Sequence, residues 1–479
     1  MFKTDILIIG AGVVGTAIAR EFSKYDLRVL VVDKNEDIGG DASKACSSIA
    51  GTGYANPTGS LVCRLSHQSH AVLDQLINTL DIPANRCGCI MPAFNDEEMA
   101  VLQKRLAVAH ANGDKDVVFL TPEQALEMEP ILAPGVQGAI YSPREIAIDT
   151  FMMVVALAEN AVANGVEFLT SCEVTGIDTA DGRIQVVHTT LGDIQTKYIV
   201  NCAGLYCDRI AAMVEDIDFA VHPRKGQFFI LDKNTPCRPT HIIMPVPTPH
   251  TRGKLVLPTA HGNTLVGPTA EDLTDKTDAS TTSQGLAEVE TDIRRLIPGI
   301  VLSDAITEFS GLRPVRTPDG YFLGFSKNIQ GIYNVTGVRS DGVTTSLGIA
   351  QYVVDEFAAA GVSLAPRTNF ISTRNGITRF ATCTVEEKEA LLKKNPQYGN
   401  IICRCETVTE AEIVEAIHRV PGAHSLDAVK RRVRAGMGRC QGGFCTPKLM
   451  EILAREMKMP VEEITKRGGA SHLLMEKNR

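Results

Sequence analysis

The chain has 479 residues, of which 44% are hydrophobic and 22% charged, and its net charge is −8. This length suits two or three soluble domains. The negative balance argues against general nucleic-acid or anionic-membrane binding, and the absence of an apolar run of about 18 residues excludes a membrane span. The apolar start, headed by Asp5 and broken by glycine, is a strand rather than a secretion signal. The chain reads as cytoplasmic, so its thirteen cysteines suggest thiols or metal ligands more than disulfides.

In chain order, DILIIGAG, VVGTAIAREF and LRVLVVDK read as strand, tight turn, helix and strand. Gly10, Gly12 and Gly15 fill the G-x-G-x-x-G pattern. The first permits the turn, the second lets backbone approach a pyrophosphate, and the third lets helix and strand pack closely. Asp33 closes the second strand, placed for a ribose hydroxyl, with Lys34 beside it. Residues 39–54 are small and polar and predict a loop; residues 60–80 predict a helix. Thr121 and Pro122 open another helix, and a long one follows Asp149. Residues 168–179, 183–190 and 194–204 predict strands, and 221–335 are strand-rich with Pro and Gly between the runs. A second glycine turn at Gly337 leads into a helix, a connector spans 362–399, and a cysteine-bearing module begins at Asn400.

Taken together, the glycine turn, SKACSS, CEVTG, NCAGLYCD, GLRPVRTPDG and GVRSDGVTTS resemble the D-amino-acid-oxidase-like superfamily of FAD enzymes. PTAHGNTLVGPTAED and REIAIDTFMMVVALAENA resemble its glycerol-3-phosphate dehydrogenase and L-2-hydroxyglutarate oxidase branch. The resemblance covers about three quarters of the chain. It implies FAD, with Gly10, Gly12 and Gly15 at the pyrophosphate and Asp33 at the adenosine ribose. Ser43, Lys44 and Ser47 match the loop along the diphosphate, Val174 the adenine contact, and Ala203 and Gly204 a second small-residue contact. Gly337, Gly342, Val343 and Thr344 match the turn at the isoalloxazine ring. NAD is the competing cofactor for a glycine turn of this kind. Separated segments returning to one nucleotide site suit the longer FAD.

Arg313, in GLRP, matches an arginine that faces substrate in relatives; the alternative is a salt-bridged surface arginine. Arg339, in the flavin turn, is either a second cation for an anionic substrate or the partner of a nearby acid. His261 and His222 are candidate bases or structural histidines. Relatives carry S-x-x-N-S-x-x-x-H near the flavin, whereas here Cys46 replaces the asparagine and Gly51 the histidine. A base role or covalent flavin link through that histidine is excluded, and amine substrates stay open.

Cys403-Arg-Cys405 is followed, after 34 intervening residues, by Cys440-x₄-Cys445. These four cysteines could hold a [2Fe–2S] cluster or zinc, or be free thiols, and structural zinc favours C-x₂-C pairs. The module, above all GMGRCQGGFC, resembles the bacterioferritin-associated-ferredoxin-like [2Fe–2S] domain. Thr409-x-x-Glu412, Ser425 and Thr446-Pro447 start three helices, the last with Cys445 at its N-terminus. Arg404, Arg431, Arg432, Arg434 and Arg439 are expected to surround the cluster with positive charge. Cys87 and Cys89 lack a partner pair and read as ordinary thiols.

The expected fold is α/β: a Rossmann-like FAD-binding domain (1–85, 146–215, 326–366) and an inserted α+β substrate domain with a mixed sheet (86–145, 216–325). A linker (367–399), a small helical [2Fe–2S] domain (400–458) and a C-terminal tail (459–479) complete it. The expected activity is FAD-dependent oxidation of a small anionic substrate, of 2-hydroxy-acid or glycerol-3-phosphate type. Electrons then pass through the cluster to a second flavoprotein, an iron–sulfur subunit or a quinone-linked partner, through which the chain would meet a membrane peripherally. The alternatives are an amino-acid or opine-type amine dehydrogenase component, and an electron-transfer component without its own substrate.

Overall fold

The computed structural model describes residues 1–215, 217–248 and 252–475. The expected tail therefore leaves the described residues at 476, and Asp216, first residue of an expected substrate-domain segment, also lies outside them. The apolar run Ile6–Ile9 is the heart of a six-stranded sheet ordered Glu167–Leu169, Val29–Val32, Ile6–Ile9, Tyr198–Asn201, Ile332–Thr336 and Phe322–Phe325. The first five strands are parallel, and Phe322–Phe325 runs antiparallel at the edge. Parallel strands are covered on both faces, which is why VLVV and ILII show no polar alternation. Ile6 and Ile8 pack toward helices Val13–Phe22, Thr150–Ala163 and Gly342–Ala359. Leu7 and Ile9 pack the other way, onto a four-stranded sheet formed by Phe2–Lys3, Ile194–Gln195, Arg183–Thr189 and Val174–Ala180.

The run at 168–179 predicted as one strand is two. Glu167–Leu169 joins the parallel sheet and Val174–Ala180 joins the four-stranded one. Ser171, in the left-handed region at φ 51°, turns the chain between them. The second large unit is a mixed nine-stranded sheet drawing strands from Cys89–Ala93 through Ala305–Thr317. Its longest pair, Ala220–Leu231 and Ala305–Thr317, is antiparallel and sets Arg224 opposite Arg313.

The connector is held along the first unit. Arg367 donates to the carbonyls of Ser23 and Tyr25, and Asn160 donates to those of Ile371 and Thr373. It ends in helix Val385–Lys394, started by a Thr384/Glu387 capping box. The last unit packs helices Glu410–His418, Leu426–Val433 and Thr446–Met457 around their own core, including Ile413, Val429 and Leu453. Thr409 with Glu412, and Ser425, cap the first two helices as the sequence predicts. Among the described residues no helix is long and apolar enough to cross a membrane.

Candidate functional site

A long cleft opens where strands Ile6–Ile9, Tyr198–Asn201 and Ile332–Thr336 end, the usual ligand position in an open α/β sheet. Its walls include Gly10, Gly12, Gly15, Asp33, Lys34, Ser43, Ser47, Val174, Ala203, Gly204, Gly337, Gly342 and Val343. Gly10 sits at φ 105°, and a Cβ there would strike the Cys202 carbonyl. A Cβ on Gly15 would strike the Gly10 carbonyl, so helix and turn pack backbone to backbone. Gly12 leaves the helix amides open toward the cleft, with the Ser43 hydroxyl accepting from the Val13 amide at 3.0 Å. The Asp33 carboxylate accepts from the Ala11 amide at 2.8 Å on one oxygen and from Asn35 on the other. Burial lifts its pKa to about 6. It therefore ties the second strand to the glycine turn while facing the cleft.

Two residues matched to the cofactor lie elsewhere. Lys44 turns out of this cleft into a second cavity, and the Thr344 hydroxyl bonds with the Gly51 amide and the Ile49 carbonyl. At the sheet end, Arg313 lines the cleft. Its guanidinium donates to the carbonyls of Arg224, Lys225 and Thr269, and among the described residues Nη1 makes no hydrogen bond. Burial, then Arg224 and Arg252, push its pKa down to about 10. Three neighbouring arginines have carboxylate partners: Arg224 with Asp272, Arg252 with Asp341, Arg339 with Asp319. Arg313 has none among the described residues. Arg339 lines the cleft but is ion-paired, which favours a partner for it over a second free cation.

His261 is not in the cleft. It lies in the second cavity with Nε2 2.6 Å from Asp149, and burial lowers its pKa. His222 pairs loosely with Thr317 and Asp272 and does not line the cleft. Neither is placed to act as a base there. Sequence reasoning overlooked Glu145. A Cβ on Gly51 would lie 2.7 Å from Glu145 Oε2, so the carboxylate holds the space beside that glycine. Oε1 accepts from the Thr52 amide and the hydroxyls of Thr52 and Ser142, and burial raises the pKa. The only sequence cue is an acid in the REIAID segment.

In the C-terminal unit all four predicted cysteines come together as two pairs. Cys405 and Cys440 stand 3.5 Å apart, and Cys445 donates to Cys403. That bond, with amides of Gly436 and Glu406, lowers the Cys403 pKa to about 6, favouring thiolate. Gly438 lets the backbone pass against Cys405, where a side chain would collide. Cys445 begins helix Thr446–Met457, whose dipole favours negative charge. Among the described residues no three His, Cys, Asp or Glu side chains converge on one ion. Two thiol pairs suit a binuclear cluster, whose irons each take two thiolates, better than one tetrahedral ion.

Residues 5–356 match the FAD dependent oxidoreductase family, DAO. The chain belongs to that family. Residues 401–455 match the BFD-like [2Fe-2S] binding domain. The chain is 42% identical to a glycerol 3-phosphate dehydrogenase of Caloramator mitchellensis over 98% of both chains. It is 24% identical to one subunit of the anaerobic glycerol-3-phosphate dehydrogenase of Escherichia coli K12, over 95% of this chain and 88% of that one. Among solved structures it resembles a dithionite-reduced L-α-glycerophosphate oxidase of Mycoplasma pneumoniae with FAD bound. That likeness has TM-score 0.74 and 27% identity, covering 78% of this chain and 99% of that one. This flavoprotein is thus an FAD-dependent dehydrogenase carrying a [2Fe–2S] domain, and the glycine-lined cleft and the thiol pairs have the chemistry those two groups need.

The iron–sulfur unit of the flavoprotein is bolted to the nucleotide-binding unit. Asp37, in the loop just after Asp33, is buried against Arg431 and Arg432 at 2.5 and 2.8 Å. Burial alone would raise its pKa, but the two guanidiniums hold it down at about 2. Glu159 takes Arg374 and Arg419, while Glu406 takes Arg434 and Lys233. Arg439 pairs with Asp232. Four of the five arginines expected to bathe the cluster in positive charge are therefore neutralised across or within unit boundaries; Arg404, which is exposed, is the one without an ion pair among the described residues.

Proposed function

We infer that this dehydrogenase oxidises a small anionic polyol phosphate or 2-hydroxy acid, with glycerol 3-phosphate the leading candidate. The observation that carries this is Arg313, a buried guanidinium among three carboxylate-paired arginines, with one nitrogen unbonded among the described residues. A guanidinium so placed takes a phosphate or carboxylate through charge-assisted hydrogen bonds. The names of the relatives support the phosphate. When bound, FAD accepts a hydride and the cluster carries electrons singly. This chain's own residues hold the anion at Arg313 and keep Arg339 and Arg252 neutralised, so that one net charge is left for substrate.

A dehydrogenase with a cluster delivers electrons to a protein or quinone-linked acceptor. The relatives named as subunits fit an assembly of several chains. The test is anaerobic turnover with an artificial dye acceptor across glycerol 3-phosphate, 2-hydroxy acids, amino acids and opines. Glycerol 3-phosphate should turn over, and Arg313→Leu should raise its KM roughly 10- to 100-fold, the worth of a lost charged hydrogen bond. Turnover of an amine alone would replace this reading with the amine-dehydrogenase one.

A further inference from the structure

A second cavity, of about 360 Å³, lies between the flavin cleft and the cysteine pairs. That volume is within the range of small-molecule sites. It shares Ala45, Cys46 and Ser47 with the cleft, and on its far side it touches Met437 and Gln441, the latter adjacent to Cys440. One wall is the iron–sulfur unit's basic face, with Lys430, Arg431, Arg434 and Lys466, and Lys44 approaches from the flavin loop.

Most charges here are already matched. Arg431 faces Asp37, Arg434 faces Glu406, Lys466 faces Asp427, and His261 faces Asp149. Two cations are left over. Among the described residues the Lys44 ammonium makes no hydrogen bond or ion pair. Lys430 has only the neutral side-chain oxygen of Gln441, at 3.4 Å. Burial depresses both ammonium pKa values, and Asp427, which pairs with Lys466, offsets this only in part. The opposite wall is apolar, formed by Phe151, Leu257, Leu265 and Phe309, and Glu308 stands on that sheet wall beside Phe309.

We propose that this cavity binds a phosphorylated small molecule, its phosphate between Lys44 and Lys430 and its apolar body against Phe151 and Phe309. Two ammoniums without an ion pair on the basic wall suit a phosphomonoester, which carries close to two negative charges near neutral pH, while the Glu308 carboxylate stands on the opposite, sheet wall beside Phe309. A carboxylate supplies one. The apolar wall selects an ester over inorganic phosphate. The occupant would rest between the two redox groups, separate from the anion anchor at Arg313.

Calorimetry on the full-length holoenzyme tests this with phenyl phosphate as the probe, against phenol and inorganic phosphate. Phenyl phosphate should bind saturably and more tightly than either control. Lys430→Gln, with iron and flavin content unchanged, should weaken binding about tenfold, the cost of one charged hydrogen bond. Arg313→Leu should leave it unchanged. Loss of binding in Arg313→Leu but not in Lys430→Gln would overturn the proposal by moving the site to the cleft, and absence of saturable binding would overturn it outright. Acetylation footprinting of the unsubstituted holoenzyme gives a second readout free of folding effects. Lys44 and Lys430 should be protected by phenyl phosphate, and equal labelling with and without it would count against the site. Because Arg313 is scored separately, failure here leaves the substrate reading standing.

Discussion

The flavin cleft and the cysteine site are built on opposite plans. The cleft is made of backbone: glycines at 10, 12, 15, 204, 337 and 342, gathered from segments hundreds of residues apart. The cysteine site is made of side chains supplied by one short stretch, 403–445, with its own core. A site made of amides and absent side chains is damaged by adding an atom. A site made of thiolates is damaged by removing one. The difference also predicts separable failure, since either site should be emptied without emptying the other.

The largest effect expected is on the cluster. Cys403→Ser should abolish bound iron and acid-labile sulfide while flavin stays and is still bleached anaerobically by substrate; loss of both groups together would show that the two sites are not independent. Next comes the joint between the sites. Asp37→Asn leaves Arg431 and Arg432 buried without a counter-charge, at a cost of about 3–5 kcal/mol in denaturant unfolding. Because the folded Asp37 pKa is about 2 against an ordinary 3.8, its contribution is present above about pH 4 and fades as pH falls toward 2. The variant should show none of that loss. The smallest is Gly15→Ala, where the new methyl meets the Gly10 carbonyl and overpacking costs about 1–3 kcal/mol. Flavin content should fall with iron unchanged.

The two plans also explain what the sequence revealed. G-x-G-x-x-G and C-x-C with C-x₄-C are local spacings, and local spacing is what a sequence displays. Helix starts were legible for the same reason: Thr121, Asp149, Thr409 and Ser425 each bond an amide three residues on. Illegible were pairings across long sequence separation. Nothing near His261 announces Asp149, and nothing near Arg431 or Arg432 announces Asp37, almost 400 residues earlier. Arg431, Arg432 and Arg439 looked like a counter-charge for the cluster because their carboxylates, Asp37 and Asp232, lie far off in the sequence. Lys44 shows the same limit: its loop runs along the cleft while its side chain lines the second cavity, since a side chain has two sides of a loop to choose from.

The strapped connector carries a consequence for how this polypeptide works as an assembly. Asn160, Asn164, Arg367 and Arg374 pin residues 367–374 to the first unit, and Glu159 then reaches onward to Arg419. The iron–sulfur unit is docked on the flavoprotein in this structure rather than held on a free tether. Its association is intramolecular, so its effective concentration there does not depend on dilution. Any partner that draws electrons must come to it.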